Sequence, residues 1–244
     1  MPNKNNYRYW FCNLLMCCGL IWVTSASALD VNITKEIAYV DTVHDGKVVR
    51  ISRNQDQDHV LTGGFTKTSR KCPPYCIKSM NVSEGVQTFG ELEVLDFIKN
   101  HVNNGTGVLV DARLESWHLK GTIPGSINIL FTVFGDTKNK LVLNSALSKL
   151  GVRKNSKQSF VTSMWESLQR LIKNNSVDHG YWDFSEAKKV LLWCNGMWCG
   201  QSPRAIGNLI KLGYPPEKLY YYRGGMQTWA LLGLTVVVPE ERGN

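Results

Sequence analysis

Two short, unbroken apolar runs constrain this chain more than any other feature: Gly107-Val108-Leu109-Val110-Asp111 and Lys189-Val190-Leu191-Leu192-Trp193-Cys194. A strand with one wet face alternates apolar and polar residues. A run without polar interruptions suits a strand covered on both faces, as in a parallel sheet between helices. The surrounding sequence supplies such helices. Residues 91–102 carry Leu92, Val94, Leu95, Phe97 and Ile98 on one stripe, and 159–172 repeat the pattern with Phe160, Met164, Trp165, Leu168, Leu171 and Ile172. Ser202-Pro203 reads as the cap and first turn of a helix that Gly213 stops after Leu212. Residues 126–131 and 218–223 read as further strands, and Gly224-Gly225 leads into a last helix through Trp229. Strands alternating with helices predict an α/β fold: a parallel sheet with helices on both faces.

The stretch before this pattern differs. Residues 29–84 read as short strands and turns, including a hairpin turning at Asp45-Gly46, then a polar run over 54–58 and Cys72-Pro73-Pro74-Tyr75-Cys76. A β-rich region this small cannot bury a sizeable core alone and should pack on the α/β portion of the chain. The expected organisation is therefore a leader over 1–28, a β-rich region over 29–84, and an α/β domain over 85–244 with an insertion at about 133–187.

The leader is read from Lys4 and Arg8, the apolar residues from Trp10 to Val23, and Ala26-Ser27-Ala28. That order of charge, apolar core and small residues is a secretory signal peptide with cleavage expected after Ala28. The expected location is periplasmic or secreted, with no membrane association after cleavage. Cys12, Cys17 and Cys18 would leave with it, so Cys72, Cys76, Cys194 and Cys199 would meet an oxidising compartment. The net charge of +8 comes without a polybasic block. It excludes a nucleic-acid tail and favours small anionic substrates approaching a cleft.

Cys194 closes an apolar strand and precedes a helix start. Ligands in open α/β sheets bind beyond the carboxyl ends of the strands. A helix N-terminus there adds free N–H donors, which should lower the pKa of a thiol. Gly196 and Gly200 would let the loop turn several N–H groups toward one point.

The segment Leu191-Leu192-Trp193-Cys194-Asn195-Gly196, then Ala205, Leu209 and Leu212-Gly213-Tyr214, then residues 222–229, resembles the C-terminal half of a rhodanese domain. Val108-Leu109-Val110-Asp111-Ala112-Arg113 and Gly121-Thr122-Ile123-Pro124-Gly125-Ser126-Ile127-Asn128 resemble that family's other two signatures. The likeness runs from about Gly85 to Pro239. The variant Cys-Asn-Gly-x-x-Cys-Gly-x-Ser is similar to a subgroup of exported bacterial rhodanese-like proteins. The resemblance implies a sulfurtransferase without cofactor or metal. Its loop cysteine would take sulfane sulfur from a small anionic donor such as thiosulfate or polysulfide. The persulfide so formed would pass that sulfur to a thiol acceptor, which can be a protein.

Two departures stand out. The basic residue usual five positions after the cysteine is replaced by Cys199, leaving Arg204, in the first helical turn, to fold back over the loop. Thr122 also stands where many members have His. Cys194 is expected as nucleophile, because counting from Cys199 would remove nearly a turn from the following helix. Cys199 becomes a resolving thiol able to close a disulfide with Cys194. Asn195, Gly196, Met197, Trp198, Gly200 and Arg204 are candidate substrate contacts. Asp111 and Arg113 read as a supporting salt bridge. Cys72 and Cys76 fit a structural disulfide, a redox or sulfur-accepting pair visiting the loop, or half of a four-cysteine zinc site. The five scattered histidines show no ligand spacing. Two other readings stay open: a dithiol-disulfide redox protein using Cys194 and Cys199, and a non-catalytic module that docks a partner.

Overall fold

The computed structural model describes residues 30–155 and 181–240. The leader and the helix expected over 159–172 lie outside the described residues. Five parallel strands form the central sheet: β3 (Gln87–Phe89), β4 (Gly107–Asp111), β5 (Ser126–Asn128), β8 (Lys189–Trp193) and β9 (Leu219–Tyr222), in the order β3-β9-β8-β4-β5. The two apolar runs are thus adjacent strands, paired from Gly107 opposite Lys189 to Asp111 opposite Trp193. Every residue of β4 is buried. That is the physical reason its sequence shows no alternation.

Alternate residues of these strands feed two separate cores. Val108, Val110, Val190 and Leu192 face one side, where they meet α3 (Lys140–Lys149) through Leu143 and Leu147 and α4 (Gln201–Lys211) through Ala205, Ile206 and Leu209. Leu109, Leu191 and Trp193 face the other, against Val94 and Phe97 of α1 (Glu91–Phe97) and Met226 and Trp229 of α5 (Gly225–Leu231). Helices therefore cover both faces. The one-turn α2 (Glu115–His118) follows β4.

The N-terminal hairpin pairs β1 (Tyr39–His44) with β2 (Lys47–Ser52) antiparallel. Asp45 and Gly46 both take positive φ, 47° and 77°, the turn that matches strand twist. Its Val40 and Ile51 join the same core as Leu109 and Trp193. Ser52 and Thr235 also exchange backbone and side-chain hydrogen bonds. The hairpin thus completes the sheet's second core. A second two-stranded pair, β6 (Arg153–Lys154) with β7 (Trp182–Asp183), lies within the expected insertion.

Several boundaries differ from expectation. The strand expected over 126–131 stops at Asn128, where the Asn128 amide turns to the carbonyls of Asp111 and Arg113. The helix from Glu91 continues beyond Phe97 as a wider π turn to Val102. Gly200, not Ser202, occupies the cap of α4. The Ser202 hydroxyl is already engaged with a sulfur atom.

Candidate active site at the loop after β8

β8 is flanked by β9 and β4, and the chain leaves its carboxyl end at Cys194. The loop to α4 is tied tightly. Cys199 N–H donates to Gly196 O (2.8 Å), while the N–H groups of Met226 and Gln227 bond the carbonyls of Cys194 (2.9 Å) and Asn195 (3.0 Å). Gly225 makes this closeness feasible. Its φ is +55°, and a Cβ there would strike the Cys194 carbonyl oxygen.

Cys194 and Cys199 are free thiols, exposed by only 1% and 5%. Ser202 Oγ donates to Cys194 Sγ at 3.0 Å, and Cys194 Sγ donates to Cys199 O at 3.5 Å. Cys199 Sγ meets the Asn195 amide at 3.8 Å and Gln201 Oε1 at 3.5 Å. Cys194 Sγ is thus tied to the Cys199 carbonyl, and the two neighbouring thiols titrate as a pair.

Their acidities divide sharply. Burial pushes the Cys194 thiol well above its ordinary value, and neighbouring Cys199 adds to the rise against the opposing Ser202 contact. Cys199 is lowered to about 7. The Cys194 hydrogen bond leads, burial opposes, and the backbone N–H groups of Gln201 and Asn195 with the Asn195 amide assist. The lowered thiol expected at Cys194 is therefore found at Cys199. The start of α4 divides its contacts: Ser202 donates to Cys194, while the Gln201 N–H and the loop's Asn195 act on Cys199. Burial outweighs the Ser202 contacts at Cys194, so Cys194 is the protonated member of the pair.

The loop is covered by a segment from the N-terminal region. Trp198 donates its Nε1–H to Gln227 Oε1 (2.7 Å), and Gln227 donates to Phe65 O (2.9 Å). Tyr75 packs edge-on to Trp198 at 5.5 Å, and the Arg70 guanidinium stands 3.9 Å over the Trp198 ring. Lys78 N–H donates to Met197 O (2.8 Å), and Arg223 Nε donates to Lys78 O (2.8 Å). Cys72 and Cys76, within this cover, form a disulfide. So bonded, they cannot be thiolate ligands with Cys194 and Cys199, which corrects the zinc reading.

A family model for the rhodanese-like domain matches residues 94–232, more than half of the chain, and that span contains the strand, both thiols and the helix just described. The chain belongs to the rhodanese-like family. Among solved structures, a rhodanese-related protein from Thermoplasma volcanium is similar at 17% identity over 56% of this chain and 89% of that one, with a TM-score of 0.28. No curated protein matches.

Other site candidates of this rhodanese-like chain fall into place around the loop. Asp111 and Arg113, both buried, form a bidentate pair (2.8 and 2.7 Å), and Arg113 also reaches Gly121 O. Thr122 and His118 bond the same Asp111 carboxylate, each at 3.0 Å. Burial pushes the Asp111 carboxyl up, but Arg113 and His118 outweigh it and hold it below its ordinary value. Arg113 stands 4.6 Å from the Trp193 ring, so the network braces the strand end beneath Cys194. Arg204 does not fold over the loop; it is exposed, with its guanidinium over Phe131 at 5.4 Å. Met197 is exposed and Trp198 half-buried. A Cβ at Gly200 would lie 3.5 Å from Lys78 Nζ, so a cation from outside the loop stands beside it.

Reading the residues in order missed Ser202, Gln201, Gln227, Lys78 and His118. Ser202 and Gln201 directly follow the loop and are the two that the helix-start pattern could have flagged. The others lie far away in the chain, and only folding brings them near. Two surface clefts, one beside Phe89 and Tyr220 and one beside the hairpin and α1, contain no cysteine.

Proposed function

We propose that this protein is a sulfurtransferase in which Cys199 is the attacking thiolate and Cys194 its proton-bearing partner. The observation that carries this is the pair of buried thiols between the end of β8 and the start of α4, linked by Cys194 Sγ to Cys199 O at 3.5 Å, with the Asn195 amide 3.8 Å from Cys199 Sγ; the acidity of Cys199, lowered to about 7, accords with it. Nucleophilic sulfur chemistry requires the thiolate, and near neutral pH Cys199 supplies it.

The Cys199 thiolate attacks the outer sulfur of a donor such as thiosulfate. A new S–S bond forms to Cys199, the donor's S–S bond breaks, and sulfite leaves with the electron pair. The persulfide keeps its negative charge beside the same donors that held the thiolate. An acceptor thiolate then attacks the outer sulfur and Cys199 leaves. Lys78 beside Gly200 supports recognition of an anion, in place of the basic residue the loop lacks. The leader pattern within residues 1–28 supports an exported protein.

Intact-mass measurement after incubation with thiosulfate or polysulfide tests this. One added sulfur atom is expected in the wild type and in Cys194→Ser, and none in Cys199→Ser. A persulfide kept in Cys199→Ser and lost in Cys194→Ser would return the nucleophile to the strand end. No adduct in any form, with either donor, rejects sulfur transfer.

A further inference from the structure

The cover over the loop carries its own sulfur pair. Lys78 N–H bonds Met197 O, and Tyr75 lies against Trp198, so the two segments pass each other in opposite directions. Counting back two residues from Lys78 gives Cys76, and counting forward two from Met197 gives Cys199. Cys76 is half-buried, whereas Cys72 is exposed. The count places Cys76 and Cys199 at corresponding positions of the two neighbouring segments, one pair a disulfide and the other free thiols, and the two pairs differ in access to solvent.

We propose that the Cys72–Cys76 disulfide exchanges with the Cys194/Cys199 dithiol within the chain, so that the exposed pair is the port through which outside dithiols act on the buried one. This goes beyond sulfur transfer and does not depend on it. In the first step the Cys199 thiolate attacks the Cys76 sulfur. The Cys76–Cys199 bond forms, the Cys72–Cys76 bond breaks, and Cys72 leaves as a thiolate into water, where it is protonated. In the second step Cys194, whose sulfur lies 3.5 Å from the Cys199 carbonyl, gives up its proton and attacks the Cys199 sulfur. The Cys194–Cys199 bond forms, the Cys76–Cys199 bond breaks, and Cys76 takes the proton that Cys194 released. The loop dithiol loses two electrons and the cover disulfide gains two, with no outside reagent consumed.

The burial pattern gives the exchange a purpose. An outside protein thiol meets exposed Cys72 far more readily than sulfurs exposed by 1% and 5%. The acidity of Cys199 adds to the case, since a thiol with pKa near ambient pH is the best attacking group in such exchange.

Disulfide mapping of the full chain tests the proposal without any sulfane donor, which separates it from the sulfurtransferase reading. In the double variant Cys72→Ser/Cys194→Ser, held in a glutathione redox buffer and digested without reduction, a peptide linked through Cys76 and Cys199 is expected. The wild type, equilibrated in graded dithiothreitol buffers and trapped by alkylation, should populate both Cys72–Cys76 and Cys194–Cys199. The absence of either the crossed peptide in the variant or the loop disulfide in the wild type overturns the exchange.

Discussion

The Ser202 hydroxyl donates to the Cys194 sulfur, eight residues earlier in the chain, across 3.0 Å. That contact binds the first turn of α4 to the end of β8. Ser202→Ala should cost about 0.5–1.5 kcal/mol, the usual value of one intramolecular hydrogen bond. Denaturant unfolding of the two proteins measures it, and an unchanged midpoint would show the contact to be energetically idle.

The Cys199 thiol should govern reactivity between pH 6 and 8. Its folded pKa of about 7 lies below the ordinary 9, so ionisation favours the fold above the ordinary value, and that contribution fades as pH falls through about 7. The rate of Cys199 alkylation by iodoacetamide, followed by peptide mass, should rise with a midpoint near 7. Cys194→Ser removes the leading stabilising contact and should move the midpoint upward. A profile centred near the ordinary thiol value in the wild type contradicts the assigned thiolate.

Asp111 and Arg113 are buried together, with Asp111 fully covered. Arg113→Ala leaves a buried carboxylate without its main partner and should cost about 3–5 kcal/mol, as for other broken buried pairs. Because the Asp111 pKa is held below its ordinary value, the pair's contribution is present above the unfolded carboxylate's pKa and is lost in strong acid as pH falls through the folded one. Unfolding titrations at neutral and acidic pH should show the variant's deficit shrinking in acid.

Tyr75 is half of the aromatic contact holding the cover on the loop. Such pairs are worth roughly 0.5–1.5 kcal/mol, so Tyr75→Ala should raise the alkylation rate of Cys199 about 2- to 10-fold at fixed pH. Thermal stability, read alongside, should fall only slightly. An unchanged rate would show that the cover does not limit access.

Ile51 is fully buried against the sheet, so Ile51→Ala should destabilise the whole chain by about 2–5 kcal/mol in a single transition. A separate early transition for the hairpin would argue against its part in the common core.

Local patterning determined much of this protein. The unbroken runs over β4 and β8 announce strands covered on both sides, and Asp45-Gly46 announces its hairpin turn, because burial and backbone conformation at those places depend on the residues themselves. The cysteine following an apolar strand and preceding a helix likewise located the loop. The difference in acidity between Cys194 and Cys199 was decided only by tertiary structure. A thiol's acidity depends on how many donors reach it and how completely water is excluded, and those groups are assembled by folding. The same holds for the cover. Lys78, Tyr75 and the Cys72–Cys76 pair lie more than a hundred residues from the loop in sequence, and only the sheet's order brings them onto it.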